Sequence, residues 1–173
     1  MSVFDALGGA EAAHAGAYQE LVVGFVRHGK KGGVEGAQKM LKRMQKDGCP
    51  PDALTYGRVV HHLTKNAQTS LALAFLEPLE KLQPYDASIV EVSYSKLIRG
   101  FAQERNAQAA LGAIQEKEAA SCELTTADFC NVIGAFGAEG EWNMALELLR
   151  TMNETGPAPD ANAYLTVFTT LKR

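Results

Sequence analysis

Apolar side chains recur at helical spacing in two neighbouring segments, residues 125–138 and 142–155. Gly140 separates the segments, and Gly156 and Pro157 follow the second, which is typical of helix ends. The pattern therefore predicts one pair of antiparallel amphipathic helices. The apolar positions are Phe129, Val132, Ile133 and Phe136 in the first segment and Trp142, Ala145, Leu146, Leu148, Leu149 and Met152 in the second.

The same pattern recurs along the chain at a nearly fixed period. An aromatic residue opens the first helix of each pair, with steps of 38, 38, 35 and 35 residues, and an alanine recurs in the second helix. We expect pairs at 17–28 with 33–47, 53–65 with 69–82, 88–103 with 106–120, and 125–138 with 142–155 (units one to four), then a lone helix at 161–172. The aromatic residues are Tyr18, Tyr56, Tyr94, Phe129 and Tyr164; the alanines are Ala37, Ala72, Ala110 and Ala145.

One helix pair cannot bury both of its apolar faces, so successive pairs must stack on one another. This predicts an all-α solenoid over residues 16–173, with residues 1–15 as a linker or a short capping helix. A glycine that follows a second helix, as Gly48 and Gly156 do, is expected in the left-handed conformation. Pro78 should kink the second helix of unit two or end it early. The last helix should leave four apolar residues uncovered: Tyr164, Leu165, Val167 and Phe168.

Several stretches resemble the pentatricopeptide repeat, whose unit begins near valine-threonine-tyrosine-asparagine and ends in glycine-x-x-proline-aspartate. The resemblance spans about residues 17–172 and implies a right-handed α-solenoid of about four units plus one helix. The tetratricopeptide repeat is the alternative, but it favours a 34-residue step and a tryptophan in the first helix, whereas Trp142 opens a second helix. The stretches are Gly48-Cys-Pro-Pro-Asp52, Asp52-Ala-Leu-Thr-Tyr56, Val92-Ser-Tyr94-Ser-Lys-Leu-Ile-Arg-Gly-Phe101, Met144-Ala-Leu-Glu-Leu-Leu149 and Gly156-Pro-Ala-Pro-Asp160.

In that family the first helices line the concave surface, and the residue after the aromatic acts with the last residue of the unit to read one RNA base. The resemblance implies such pairs here, but no unit has the preferred residue type at both positions. Base reading along consecutive units is therefore not expected, and contacts to the RNA backbone should dominate. The pairs are Gln19 with Asp52, Gly57 with Ala87 or Val90, Ser95 with Thr125, and Cys130 with Asp160.

The family often has a lysine near the end of the first helix that meets phosphate. Arg27 and Lys65 occupy this position in units one and two, but Gln103 and Ala138 occupy it in the next two. The net charge of −3 is also uneven, at +1 over residues 1–86 and −4 over residues 87–173. An RNA surface should therefore favour the N-terminal half. Neighbouring residues that could extend it are Lys30, Lys31, Arg58, His61, Lys96 and Arg99.

Sequence motifs of catalysis are missing: the chain has no nucleophile motif, phosphate loop or HExxH. We therefore predict a protein that is no enzyme and needs no cofactor or metal. Its three cysteines are an odd number without CxxC spacing, which favours free thiols. No apolar run is long enough to span a membrane.

Two functions are compatible with these features. The resemblance implies an RNA-binding protein of a mitochondrion or plastid, acting in RNA processing, stabilisation or translation on single-stranded or structured RNA. The alternative is a structural scaffold subunit of a large organellar assembly such as a mitochondrial ribosome, with other proteins bound at the exposed C-terminal helix, 161–173.

Overall fold

The computed structural model describes residues 11–28 and 32–171, and regular structure in these residues is entirely helical. In unit two, the second helix consists of two short α-helical segments, residues 69–72 and 76–80, joined by a 3-10 turn at Leu73–Phe75. The helices are α1 (Glu11–His28), α2 (Gly33–Lys46), α3 (Ala53–Lys65), α4 (Thr69–Ala72), α5 (Leu76–Glu80), α6 (Ala87–Gln103), α7 (Ala107–Ala119), α8 (Thr126–Glu139), α9 (Trp142–Thr155) and α10 (Ala161–Leu171).

The first helices of the units stack in chain order: α1 packs on α3, α3 on α6, α6 on α8, and α8 on α10. Within units one, three and four the second helix packs against its own first helix, as α2 does on α1, α7 on α6 and α9 on α8. The α4–α5 segment has the same relation to α3. The molecule is therefore a right-handed α-solenoid of stacked antiparallel helix pairs, as the repeat predicts.

Both repeat columns lie in the core. The four alanines of the second helices are buried, which lets neighbouring helices approach closely, and so are the aromatic residues of units one to four. Tyr164 differs because it is 44% exposed on the last helix. Leu165 and Phe168 are exposed beside it, as expected. The same expectation was wrong for Val167, which is buried because it lies with Ala163 on the side of α10 that packs on α8.

The second helix of unit two is broken, as Pro78 predicts. Pro78 cannot donate a hydrogen bond to the carbonyl four residues earlier, and its ring clashes with that turn. The chain responds with the 3-10 turn at Leu73–Phe75, directly before the residues that contain Pro78. The helix then ends at Glu80, two residues before the expected end.

Two other expectations differ from the structure. The first helix starts at Glu11 rather than near residue 17, so it crosses the expected boundary at residues 15 and 16, and residues 1–10 lie outside the described residues. Gly48 has the expected left-handed backbone, with φ of 80°. Gly156 does not: its φ of −98° and ψ of −168° are extended. The reason is Pro157, because a residue before proline is pushed towards extended backbone.

Neighbouring units are also joined by polar side chains that occupy one repeat position, ten residues after the aromatic. Asn66 Nδ2 donates to the Val26 carbonyl over 3.1 Å. Glu104 accepts from the Thr69 backbone over 3.0 Å, and Glu139 accepts from the Ala107 backbone over 2.8 Å, at the N-terminus of a helix in the preceding unit. These bonds provide a partner for backbone groups at helix ends, which have none within their own helix.

Candidate nucleic-acid interface

The last residue of each unit caps the first helix of the next. Asp52, Asp86 and Asp160 each accept a hydrogen bond from a backbone N–H three residues on, at 2.8 Å, 3.2 Å and 2.8 Å. Thr125 does the same for α8. The cap of α6, Asp86, lies eight residues before Tyr94, whereas the caps of α3, α8 and α10 lie four residues before their aromatic, a position that Val90 occupies in α6. The insertion of unit two therefore lies in the first turn of α6, after the cap, and the partner of Gly57, Ala87 or Val90, stays a prediction.

The structure brings two of the expected pairs together at the N-terminal ends of the first helices. Gln19 Nε2 lies 3.4 Å from Asp52 Oδ2. Cys130 is close enough to Asp160 that the carboxylate, after burial, raises the pKa of the thiol. Gly57 differs, because it is buried and an added Cβ would lie 2.9 Å from Ile89 Cγ2. The glycine therefore permits the close approach of α6 to α3 rather than offering a contact to a ligand.

The third pair, Ser95 and Thr125, is joined by a buried ion pair. Lys117 Nζ donates to Ser95 Oγ over 3.0 Å and to Asp128 Oδ2 over 2.7 Å. The same Asp128 oxygen accepts from the Thr125 hydroxyl over 2.9 Å and from its backbone N–H over 3.0 Å. Both hydroxyls that the resemblance assigns to base reading thus already bond within the protein.

Sequence reasoning missed this ion pair, although two signals were present. Lys117 falls seven residues after its alanine, where the other units have Met44, Leu79 and Met152. A lysine in an apolar column requires a buried partner. The second signal is Thr125 with Asp128 three residues later, the spacing of a capping box. Together they place a carboxylate at the start of α8, where α7 packs against it.

Cationic side chains from three first helices meet on one surface, which we call the basic face. It consists of Arg27 on α1, Arg58, His61, His62 and Lys65 on α3, and Lys96 and Arg99 on α6. Arg27, Lys65 and Arg99 are exposed, and the others are partly buried. Every cation that the sequence predicts for phosphate binding within the described residues therefore belongs to this surface. Lys30 and Lys31 lie outside the described residues.

The two histidines are affected both by their burial and by the cations around them. Burial, followed by Lys96, Lys65 and Arg99, lowers the pKa of His61. Burial, followed by His61, Arg27, Arg58 and Lys65, lowers the pKa of His62. Burial and Arg99 likewise lower the pKa of Lys96. Cations from α1, α3 and α6 therefore act together on these two neighbouring rings.

A cleft of about 360 Å³ opens on the basic face between α3 and α6. Its lining has cationic and neutral hydrogen-bonding groups and no carboxylate. A larger cleft of about 560 Å³ lies at the connections before α3 and α6, but Asp52 and Asp86 line it and no lysine or arginine does. An anion would therefore favour the smaller cleft. Its lining residues are His61, Thr64, Lys65, Lys96, Arg99, Gly100 and Gln103.

The basic face ends at α6. Neither α8 nor α10 contains a lysine or arginine within its described span, and the α8 positions equivalent to Lys96 and Arg99 are Asn131 and Gly134. On the α1 side, Glu20 accepts from Arg58 over 2.7 Å and neutralises part of its charge. The cations that line the cleft, Lys65, Lys96 and Arg99, therefore lie where α3 meets α6.

This arrangement is that of a helical-repeat protein whose first helices carry a basic face, and comparison with known proteins places it in a family. A family model described as "Pentatricopeptide repeat-containing protein" matches residues 102–173, and one described as "PPR repeat" matches residues 25–49. The chain is a pentatricopeptide repeat protein. Comparison with curated proteins gives no match.

Solved structures show the same fold. The pentatricopeptide repeat protein PPR10 from maize is similar at 20% identity and a TM-score of 0.72, over 87% of this chain and 20% of that one. PPR10 in complex with an 18-nt psaJ RNA element matches with a TM-score of 0.61, over 88% of this chain and 22% of that one at 20% identity. The chain thus spans about a fifth of these relatives.

A shorter relative is the PPR domain of Arabidopsis thaliana protein-only RNase P 1, solved in complex with tRNA. It has 11% identity and a TM-score of 0.62, over 90% of this chain and 79% of that one. At this identity the likeness shows the shared fold. In the part of the chain that the structure describes, no helix has the length and apolar character needed to cross a membrane.

Proposed function

We propose that this chain binds single-stranded or structured RNA, with the phosphate backbone held on the basic face. The observation that carries the proposal is the meeting of Lys65, Lys96 and Arg99 at a cleft between α3 and α6 whose lining has no carboxylate. Arg27 of α1 adds its charge beside the cleft, at the neighbouring His62. Neutralising phosphates releases condensed counterions, which supplies most of the free energy of binding that does not depend on sequence. The relatives solved in complex with an RNA element or with tRNA support the same class of ligand.

Contacts to the RNA backbone should contribute more to binding than base reading. Gly57 offers no side chain, and Cys130 is a weak hydrogen-bond donor. The hydroxyls of Ser95 and Thr125 are already engaged with Lys117 and Asp128. Of the four expected base-reading pairs, this leaves Gln19 and Asp52, which both have polar side chains and lie 3.4 Å apart.

The proposal is that the protein binds RNA without catalysing a reaction on it, and that it acts in an organelle. The absence of catalytic sequence motifs supports the former, and the habit of the family supports the latter. RNA processing, stabilisation or translation in a mitochondrion or plastid are the processes that such binding would serve.

A salt series with a labelled oligoribonucleotide tests the proposal. Arg27→Ala, Lys65→Ala and Arg99→Ala should each weaken binding, because each removes a phosphate contact, and each should lower the slope of log K against log salt by about 0.7. The measurement is fluorescence anisotropy at several salt concentrations.

Matched controls lie on the second helices. Lys42→Ala on α2 and Arg150→Ala on α9 remove the same charge from exposed positions away from the first helices. Their binding should equal that of the unmodified chain. Equal losses from both sets of variants would mean that net charge, rather than the basic face, holds the RNA, and would contradict the proposal.

A scaffold role is the second candidate, and the uncovered side of α10 favours it. Tyr164, Leu165 and Phe168 are 44%, 58% and 62% exposed, so this end of the stack presents an apolar surface. A chain that binds no RNA at any salt concentration, yet co-purifies with a large particle, would support this role in place of RNA binding.

A further inference from the structure

The cleft between α3 and α6 contains a titratable group among fixed cations. His61 lines it together with Lys65 on the same helix and with Lys96 and Arg99 across the cleft. His61 is partly buried, so its ring is less hydrated than a free histidine while remaining open to the cleft. Thr64 and Gln103 add neutral hydrogen-bonding groups to the lining.

The charges that face His61 are all positive. From α6 they are Lys96 and Arg99, and from its own helix Lys65. On the α1 side, Arg27 and Arg58 act on the neighbouring ring of His62, 5.2 Å away between ring centroids. The described carboxylates on the packed elements lie with other groups: Glu20 with Arg58, Glu77 with Lys81, Glu80 with Tyr94, and Glu91 near Cys122.

This environment disfavours the protonated form of His61 in the chain without RNA. Burial disfavours the imidazolium, and three nearby cations repel it, so its pKa is lowered from 6.5. A phosphate group in the cleft would reverse the second effect, because its negative charge offsets the cations and attracts an imidazolium directly. Protonated His61 could then donate a charge-assisted hydrogen bond to a phosphate oxygen.

We propose that His61 is a phosphate-binding residue of the basic face and that it takes up a proton when RNA binds. This inference rests on the proposed function. It adds His61 to the RNA-binding residues and couples the uptake of a proton to RNA binding. RNA affinity then rises as pH falls, because protons favour the complex over the free chain. The gain appears between the pKa of His61 in the complex and its lower pKa in the free chain. Above that window the imidazole is neutral in both states, and the affinity no longer depends on its protonation.

The test compares binding of a random-sequence oligoribonucleotide of about 12 nucleotides at about pH 6 and pH 8, at one fixed salt concentration. The unmodified chain should bind about threefold to tenfold more tightly at the lower pH, since raising the pKa of His61 by about one on binding corresponds to at most a tenfold gain in affinity. His61→Gln should remove this difference and bind at both pH values as the unmodified chain does at pH 8. His61→Lys, which stays charged, should bind tightly at both.

His28→Gln is the matched control, because His28 is exposed at the end of α1 and belongs neither to the basic face nor to the lining of the cleft. It should keep the pH dependence of the unmodified chain. A second readout follows the His61 imidazole by NMR during a pH titration, without RNA and with saturating RNA. Its pKa should be higher in the complex.

The failures are distinguishable. No RNA binding at either pH would remove the proposed function and this inference with it. RNA binding with the same affinity at both pH values, or a pH dependence that persists in His61→Gln, would overturn the inference and leave RNA binding in place. An unchanged pKa of His61 in the complex would overturn it as well.

Discussion

At the scale of single residues, Lys117 has the most unusual environment in the described part of the chain. It is fully buried in an apolar column and neutralised by Asp128 at 2.7 Å. Desolvating both charges costs free energy that their attraction only partly returns, so the pair need not add to net stability. What the pair does is connect three helices, because Lys117 on α7 bonds both Ser95 on α6 and Asp128 on α8.

Lys117→Met should destabilise the chain by about 3 kcal/mol, because Asp128 would stay buried without its cation. Urea unfolding followed by circular dichroism measures the change. Lys117→Met combined with Asp128→Asn should recover much of the loss, since Asn can still accept from Thr125 and carries no charge. Met152→Leu, in the same column of unit four, is the control and should cost less than about 1.5 kcal/mol. Unchanged stability of Lys117→Met would show that Asp128 does not need the cation.

At the scale of helices, the C-terminal end of the first helix of one unit caps the second helix of the preceding unit. Glu104 accepts from the backbone and hydroxyl of Thr69, and Thr69 is fully buried at the start of α4. Gly100 allows this contact, because an added Cβ there would lie 2.5 Å from Thr69 Oγ1. The N-terminus of the short α4, whose first N–H groups have no acceptor within the helix, therefore depends on a residue of the following unit.

Glu104→Ala should lower the free energy of unfolding by about 2 kcal/mol, because two buried donors of Thr69 would lose a charged acceptor. Glu139→Ala, which removes the acceptor of one backbone donor, should cost about 1 kcal/mol. Chemical denaturation measures both changes. Glu118→Ala, at an exposed position of α7, is the matched control and should stay within about 0.5 kcal/mol. Equal effects of Glu104→Ala and Glu118→Ala would contradict a capping role.

At the scale of the whole molecule, the described part of the stack has the basic face on its first helices and an exposed apolar side on α10. The basic face is assembled from α1, α3 and α6, so it exists only when these helices are in register. The uncovered side of α10 follows from the same stacking, because the aromatic of each other unit is buried and Tyr164 is not.

Leu165→Asn and Phe168→Asn should change the free energy of unfolding by less than about 0.5 kcal/mol, since both side chains are already exposed. Val167→Ala, between them in sequence, should cost about 1 kcal/mol because it is buried against α8. Urea unfolding compares the three variants. A large loss from Phe168→Asn would mean that this side of α10 is covered within the chain itself.

The sequence by itself determined the helices, their pairing and the repeat. Apolar spacing and a recurring aromatic and alanine are local, periodic signals, and each unit repeats them independently, so the family also follows from them. Pro78 likewise predicts the broken helix, because a missing N–H acts within one turn of the chain.

Only the tertiary structure decided which polar groups meet. Lys117 finds Asp128, Glu104 finds Thr69, and His61 finds Lys96 and Arg99 through packing between different helices. Such contacts depend on the angle and register of stacked helices. The column position of Lys117 and the capping box of Thr125 and Asp128 point to a buried partner, but only the packing of α7 on α8 brings these side chains together. The same holds for the two sides of α10: periodicity shows that Val167 and Phe168 are apolar, but only the position of α8 decides which of them is buried.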